Sequence, residues 1–213
     1  MLKFYYNPIS VNARRVWITL LEKQIPFESI LVNLDGDQFS DEFAAINPLQ
    51  RVPAIVDDGL QVVESLAILD YLEAMYPTPS LMPSDPGAVA RVRMVETITV
   101  VELQPETIPL TRPMVGLEVA PQKLEAAQQR VTVILQFLEK LLDQRPYFAG
   151  EAFTLADIVA GTLVPSLPLD SYPRLRAWSA RLAQRQSWQQ TAYTPDAIAA
   201  ALPNIRAILE RRW

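Results

Sequence analysis

The N-terminal part of the chain alternates apolar runs of strand length with stretches of helical period. Residues 2–6 and 27–32 are predicted strands, and each is bounded by a turn signal. Between them a helix is predicted from Ala13, because its apolar residues fall on one face: Val16, Trp17, Leu20 and Leu21. The charged residues of the same stretch are expected largely off that face: Arg14, Arg15, Glu22 and Lys23. A short helix over residues 39–46 follows.

The next stretch combines a turn, a hairpin and the start of a helix. Asn47-Pro48 signals a turn. Residues 54–56 and 60–63 are rich in Ile and Val and are joined by Asp-Asp-Gly, which favours a tight hairpin turn. A helix is predicted to begin at Glu64-Ser65, with Ser65 as its N-cap. The free N–H groups and the positive dipole end of such a helix favour an anion.

These elements predict a small α/β domain over residues 1–76, built on a mixed four-stranded sheet. Residues 77–86 contain four prolines and are the predicted linker, because a Pro-dense run cannot continue a helix. Beyond it the strand signal nearly disappears. Long amphipathic helices over residues 89–103 and 122–142 predict an all-helical bundle domain over residues 87–213.

Local signals in the helical half are of two kinds. Prolines interrupt residues 104–121, which indicates either a distorted helix end or a loop over a pocket. Thr154 and Asp157 have the spacing of a capping box, so a buried helix is expected to begin there. The tail over residues 194–213 is predicted to be helical, with a break at Pro203.

Composition narrows the chemistry. The chain has 213 residues, of which half are hydrophobic, and neither Cys nor His is present. Thiol redox chemistry, Ser-His-Asp triads and His-ligated zinc are therefore excluded. A net charge of −5 argues against a nucleic-acid partner. The N-terminus lacks the apolar region of a signal peptide and no stretch is long enough to cross a bilayer, so we expect a cytoplasmic protein without a membrane partner.

The predicted order of elements resembles a known family. A β-α-β unit followed by β-β-α, with a Val-Pro pair before the third strand, is similar to the thioredoxin-like layout. Joined to an all-helical domain, it resembles the cytosolic glutathione S-transferases over essentially the full length. The resemblance depends on four motifs, which are Asn47-Pro48, Val52-Pro53, Glu64-Ser65 with the following Leu-Ala-Ile-Leu, and Phe153 to Asp157.

The resemblance implies a binding site for glutathione. Pro53 would be preceded by a cis bond, and the backbone of Val52 would pair with the cysteinyl unit. Ser65 would hold the γ-glutamyl carboxylate at the helix N-terminus, while Glu64 would accept from the α-ammonium. From the residues alone, an ordinary N-cap beside a solvated acid is the alternative for Glu64-Ser65.

Two residues are candidates for activating the glutathione thiol. Relatives of the serine type (theta, phi and delta-like) carry a Ser just after the first strand, and Ser10 is similarly placed. Its hydroxyl would donate to the sulfur and favour the thiolate; lowering a thiol pKa by about two units is worth roughly 3 kcal/mol. Tyr6 is the secondary candidate, because other classes use a Tyr near the end of the first strand. The alternatives are a plain helix cap for Ser10 and packing for Tyr6.

The sequence does not single out one residue as the partner of the glycine carboxylate of glutathione. Arg51 lies where many relatives have Lys or Gln, with a solvated turn Arg as the alternative. Phi and theta members often carry His or Lys near Gln38, where this chain has Gln-Phe-Ser. Gln38, Arg51 and Lys3 are therefore the candidates for this contact.

The function implied by the resemblance is a glutathione transferase. Glutathione is its co-substrate, no metal takes part, and small hydrophobic electrophiles are conjugated in a detoxification role; a peroxidase side activity would use the same thiolate. A homodimer is expected. The alternative is a non-enzymatic binding or regulatory protein with the same fold, whereas a reductase that needs a protein Cys is excluded.

Overall fold

The computed structural model describes residues 1–211, apart from the side chains at positions 195 and 211. Four strands form one mixed sheet in the order β2-β1-β3-β4. They are β1 Leu2–Tyr6, β2 Phe27–Leu31, β3 Ala54–Asp57 and β4 Leu60–Val63. β1 runs parallel to β2 and antiparallel to β3, and β3 and β4 form an antiparallel hairpin. The predicted mixed four-stranded sheet is confirmed.

The hairpin turn follows from its sequence. Asp57 pairs with Leu60, so only Asp58 and Gly59 form the loop. Both have positive φ angles, 47° and 84°, as a two-residue turn between twisted strands requires. The Asp-Gly pair tolerates those angles, which explains why the register of β3 and β4 is set at this point.

Three helices accompany the sheet: α1 Val11–Glu22, α2 Asp41–Ile46 and α3 Ser65–Met75. A short 3₁₀ turn, Asp37–Phe39, precedes α2, so the helix predicted over residues 39–46 is divided at Ser40. The core lies between the sheet and the helices and is apolar. Its fully buried members include Phe4, Val16, Leu20, Ile55, Ile68 and Leu72.

The polar face predicted for α1 is wrong at two positions. Arg15 and Lys23 are 0% and 3% exposed. Lys23 Nζ donates to Glu73 Oε2 and to the carbonyl of Pro79, both at 2.7 Å. Its charge is therefore paired inside the protein, which is the condition under which a buried cation is tolerated. Sequence periodicity cannot anticipate such a partner, because Glu73 is 50 residues away.

The second half of the chain is helical among the described residues. Its α-helices are α4 Pro86–Thr97, α5 Gln104–Thr111, α6 Pro121–Leu142, α7 Leu155–Gly161, α8 Pro173–Ala183, α9 Gln186–Gln190 and α10 Pro195–Arg211. Ile98–Leu103 is π-helical and joins α4 to α5. The fold class predicted for both halves is confirmed.

Prolines interrupt the described helices of the second half less than the sequence predicts. Residues 104–111 form α5 despite the internal Pro109, and Arg112–Val115 continues it as a 3₁₀ turn. The segment is therefore a distorted helix end rather than a loop. α10 likewise continues through Pro203. Proline removes one helical hydrogen bond without forbidding the helix, and the π-helical and 3₁₀ stretches on either side of α5 mark its departure from regular geometry.

The capping motif at the start of α7 has the predicted partners. Asp157 is fully buried, and its carboxylate accepts from the backbone N–H of Thr154 at 2.9 Å, as in a capping box. It also accepts from the Thr154 hydroxyl, from the backbone N–H of Phe148 and from the indole N–H of Trp178. One side chain therefore joins α7 to α8 and to the preceding loop.

The chain forms two compact units. One contains Met1–Met82 together with Arg185–Tyr193, and the other contains Pro83–Gln184 with the described residues from Thr194 onward. The boundaries predicted at residues 76 and 87 stay a prediction, and the position of Arg185–Tyr193 in the first unit was not anticipated. No helix among residues 1–211 combines the length and apolar character that crossing a membrane requires.

Glu22 anchors the Arg185–Tyr193 segment to α1. Its carboxylate accepts from Arg185 Nε and Nη2 at 2.9 and 2.6 Å, and from the Ser187 hydroxyl. Burial raises the pKa of Glu22, but the hydrogen bonds from Arg185 and Ser187 outweigh burial and leave that pKa below its ordinary value of 4.5. A carboxyl pKa that is lower in the folded state stabilises the protein at pH values above the ordinary pKa. This contribution is lost as the pH falls through the folded-state pKa.

We expect Glu22→Gln to lower the free energy of unfolding at pH 7 by about 1–2 kcal/mol. The difference from wild type should shrink as the pH falls below 4.5. Denaturant melts at several pH values measure it. Glu210→Gln is the control, because Glu210 forms an exposed pair with Arg206 and should change stability by less than about 0.5 kcal/mol. A Glu22→Gln effect independent of pH would contradict the expectation.

Candidate functional site

Strand register brings the predicted site segments to one end of the sheet. Ala54, the first residue of β3, pairs with Tyr5 on β1 and with Val63 on β4. The residues just before Ala54 therefore lie beside those that follow β1 and those that follow β4. The segments that contain Ser10, Val52-Pro53 and Glu64-Ser65 therefore leave or enter the sheet at the same end, although they are far apart in sequence.

Ser10 is the N-cap of α1. Its hydroxyl oxygen accepts from the N–H of Ala13 at 3.2 Å, and its own N–H donates to the carbonyl of Asn7 at 3.0 Å. The side chain is half-buried. Because the hydroxyl acts as an acceptor in the cap, its proton is free to be donated elsewhere. Capping and donation to a bound sulfur are therefore compatible, and the catalytic role of Ser10 stays a prediction.

Tyr6 is at the end of β1 in an aromatic cluster. Its ring stacks on Phe4 with centroids 5.1 Å apart and meets the edge of Trp17 at the same distance. This packing accounts for the ring of Tyr6 without any ligand. It favours Ser10 as the donor, while the role of Tyr6 as the secondary candidate stays a prediction.

The segment before β3 offers backbone groups for a ligand. The Val52-Pro53 peptide bond is cis, and both residues are buried. Asn47 orders the preceding turn, because its Nδ2 donates to the carbonyl of Arg51 at 2.6 Å. The Arg51 side chain is exposed at this end of the sheet.

The start of α3 differs from the prediction by one position. The N-cap is Glu64 and Ser65 is the first helical residue, so the assignment of Ser65 as N-cap is wrong. Glu64 has φ 67° and ψ 122°, a conformation that costs a non-glycine residue of order 1–3 kcal/mol. Such strain concentrates at functional sites, and here it directs the backbone from β4 into α3. Ser65 is 6% exposed, whereas Glu64 is exposed.

We expect Glu64→Gly to stabilise the protein by about 0.5–1 kcal/mol, because glycine accepts a positive φ at less cost. Thermal and denaturant unfolding measure the change. Gln24→Gly is the matched variant, since Gln24 also has a positive φ of 54° and follows the far end of α1. Destabilisation by Glu64→Gly together with stabilisation by Gln24→Gly would contradict the assignment of strain to Glu64.

Gln38 is directed into its own loop. It is 4% exposed, its Oε1 accepts from the N–H of Gly36 at 3.1 Å, and its Nε2 donates to the carbonyl of Leu34 at 3.4 Å. Lys3 pairs with Val56 within the sheet, away from the end where β3 begins. Of the three candidates for the contact with the glycine carboxylate, Arg51 is therefore the best placed, because its side chain is exposed at this end of the sheet.

A buried cation near the site was missed in the sequence. The guanidinium of Arg15 is fully buried, and its Nη1 donates at 2.8 Å to Oδ1 of Asn12 in the first turn of α1. A positive charge therefore lies close to the helix end that Ser10 caps, where it adds to the helix dipole in favouring an anion. Nothing in the sequence marks Arg15 as buried, because its burial depends on tertiary packing.

No group of His, Cys, Asp or Glu side chains suited to a metal ion occurs among residues 1–211. The chemical resources of this end of the sheet are instead hydroxyls, backbone groups and a helix N-terminus. They suit a flexible anionic ligand that lies along the backbone before β3.

The chain thus combines a thioredoxin-like sheet unit, which has a cis-Pro segment before β3, with a helical unit. Two family models match this combination. The family model "Glutathione S-transferase, N-terminal domain" matches residues 4–80, and "Glutathione S-transferase, C-terminal domain" matches residues 102–186.

Individual relatives agree with these matches. The chain is 37% identical to maleylacetoacetate isomerase of Mus musculus over 158 residues, which cover 72% of this chain and 70% of the relative. It is 34% identical to human glutathione S-transferase theta-2 over a match that covers 85% of this chain and 80% of the relative. The structure of a bacterial maleyl pyruvate isomerase, described as a zeta-class glutathione S-transferase, superposes with a TM-score of 0.76 at 30% identity. The superposition covers 92% of this chain and 99% of that chain. The chain belongs to the glutathione S-transferase family.

Proposed function

We propose that this protein binds glutathione at the end of the sheet where β3 begins. The cysteinyl unit pairs with the backbone of Val52, as an added strand does. The γ-glutamyl carboxylate lies on the N-terminus of α3, where Ser65 supplies its N–H and hydroxyl. Glu64 accepts from the α-ammonium, and Arg51 meets the glycine carboxylate. The convergence of these groups through the strand register supports the proposal.

The reaction is the conjugation of the glutathione thiolate to a small hydrophobic electrophile. The thiol proton is lost to solvent, the Ser10 hydroxyl donates a hydrogen bond to the resulting thiolate, and the start of α1 with the nearby Arg15 favours the negative charge. Sulfur attacks the electrophilic carbon, and the leaving group departs with its electron pair. Detoxification in the cytoplasm is the corresponding biological role, and the thiolate also suits a peroxidase side activity.

Calorimetric binding and turnover together test this function. Glutathione is expected to bind at micromolar to millimolar concentration, and cysteinylglycine, which lacks the γ-glutamyl unit, is expected to bind far more weakly. Ser65→Ala should reduce the difference between the two ligands. Equal affinity for both would show that the N-terminus of α3 is not the γ-glutamyl site.

The same experiments separate catalysis from binding alone. A transferase conjugates glutathione to an aryl halide, whereas a binding or regulatory protein of this fold takes up glutathione without turnover. Absence of turnover with a panel of halides, epoxides and peroxides would favour the non-enzymatic alternative.

A second candidate is glutathione-dependent isomerisation. It is favoured by the similarity to maleylacetoacetate isomerase and to the zeta-class maleyl pyruvate isomerase. Such a reaction adds the thiolate reversibly to a conjugated cis double bond and expels it after rotation, so glutathione is not consumed. Conversion of maleylacetoacetate with catalytic glutathione would support this candidate, whereas stoichiometric loss of glutathione would support conjugation.

We also propose that the protein is a homodimer. Members of its family supply the expectation, and sedimentation at micromolar concentration tests it. A mass of about twice 24.0 kDa is expected, whereas a monomer would contradict the proposal.

A further inference from the structure

Two Asn-Pro turns of the first unit are built alike. In the turn after β1, the Oδ1 of Asn7 accepts from the N–H of Ile9 at 3.1 Å. Its carbonyl accepts from the N–H of Ser10 at 3.0 Å. Its Nδ2 donates to the carbonyl of Val32 at 2.8 Å. Asn7 is 8% exposed, so these bonds are sheltered from water.

The turn after α2 repeats this arrangement. The Oδ1 of Asn47 accepts from the N–H of Leu49 at 3.0 Å, and its carbonyl accepts from the N–H of Gln50 at 2.8 Å. Its Nδ2 donates to the carbonyl of Arg51 at 2.6 Å. Asn47 is 2% exposed. Both asparagines precede proline and use the side chain to fix the two residues that follow.

The two turns lead to different halves of the site. Asn7 controls the three residues that end at Ser10, the proposed donor to the thiol. Its amide also extends the β1–β2 ladder by one rung, next to the bond from Val32 N–H to the Tyr6 carbonyl at 2.8 Å. The loop that carries Ser10 is thereby attached to the edge strand. Asn47 instead fixes the carbonyl of Arg51, immediately before the Val52 backbone.

We infer that Asn7 is a positioning residue for thiol activation, and that Asn47 is its counterpart for glutathione binding. This inference rests on the proposed function. Without the Asn7 amide, the Ile9 N–H and the Val32 carbonyl lose their partners and the loop is free to shift. The Ser10 hydroxyl then points at the sulfur for only part of the time. Without the Asn47 amide, Val52 and Arg51 lose their fixed position while Ser10 keeps its own.

Asn7→Ala and Asn47→Ala are a matched pair, because each removes one bond from the N–H two residues on and one donation from the amide to a backbone carbonyl. Each variant is titrated with saturating glutathione, and the pKa of the bound thiol is read from the ultraviolet absorbance of the thiolate. Asn7→Ala is expected to raise that pKa by about one unit. At a pH below the pKa, the fraction of bound glutathione present as thiolate then falls about tenfold. Asn47→Ala is expected to weaken glutathione binding about tenfold and to leave the bound-thiol pKa near the wild-type value.

Stability is measured in parallel and should fall by similar amounts in the two variants, so unfolding cannot explain a difference between them. Asn7→Ser is the conservative variant, because a serine hydroxyl can accept from the Ile9 N–H. It should return the thiol pKa part of the way to wild type, and it replaces Asn7→Ala if that variant does not fold.

The inference is overturned if the bound-thiol pKa of Asn7→Ala, or of Asn7→Ser if that variant is used instead, equals the wild-type value. It is also overturned if the Asn7 and Asn47 variants shift that pKa equally. Failure of the proposed function is distinguishable, because the wild-type protein itself would then show no lowered thiol pKa.

Discussion

Replacing Ser10 by alanine is expected to lower kcat/KM for conjugation of an aryl halide by about 100-fold, which corresponds to roughly 3 kcal/mol. The hydroxyl is the proposed donor to the sulfur, and without it the bound thiol is protonated at neutral pH. Steady-state kinetics between about pH 6 and 9 measure the effect, because raising the pH should restore part of the lost rate.

Two comparisons isolate this effect. Tyr6→Phe should change kcat/KM by less than about threefold, since the Tyr6 ring is held by aromatic packing. Ser40→Ala removes a cap of the same 3.2 Å geometry at the start of α2, so it reports the stability cost of losing a serine cap. A larger loss with Tyr6→Phe than with Ser10→Ala would place the protein among the tyrosine-type transferases.

Replacing Asp157 by alanine is expected to lower the free energy of unfolding by about 3–4 kcal/mol. The carboxylate accepts four hydrogen bonds, two from backbone N–H groups and one each from Thr154 and Trp178. All four donors are left in a buried site that alanine cannot fill. Denaturant unfolding at constant pH measures the loss.

Asp85→Ala is the matched control. Asp85 likewise lies at the start of a helix, where it is the N-cap of α4 and accepts from the N–H of Ala88 at 2.8 Å, but it is exposed. Its replacement should cost only about 1 kcal/mol. Similar losses for the two variants would show that burial does not set the importance of Asp157.

The Asp157 effect should also depend on pH. Burial raises the pKa of Asp157 from 3.8 to about 6, against the opposing effect of its hydrogen bonds. A raised folded-state pKa stabilises the protein at low pH, and this contribution is lost as pH rises through the folded value. The difference between wild type and Asp157→Ala should therefore be about 1 kcal/mol larger at pH 5 than at pH 7.5. A difference that grows with pH would contradict this sign.

The fold was largely predictable because local signals and hydrophobic period agree in most elements. β1 and β4 have the predicted bounds, and the Asp-Gly turn between β3 and β4 has the expected positive φ angles. The predicted interruption at Pro203 did not occur, because an internal proline can kink or weaken a helix without ending it, and α10 runs from Pro195 to Arg211.

The site was predictable where it depends on local chemistry. The Val52-Pro53 pair and the start of α3 could be located from their motifs. The burial of Arg15 could not, because it depends on tertiary packing that no spacing encodes. The backbone strain at Glu64 and the cross-strand bond of Asn7 to Val32 were also beyond the sequence, since each is created by the sheet register.

The pKa of the glutathione thiol bound to the wild-type protein tests the central claim most directly. Ultraviolet titration of the complex is expected to give a thiol pKa about two units below the value near 8.5 of the free thiol. Binding of glutathione with an unshifted thiol pKa would contradict the account of Ser10 and the start of α1 as a thiolate-stabilising site.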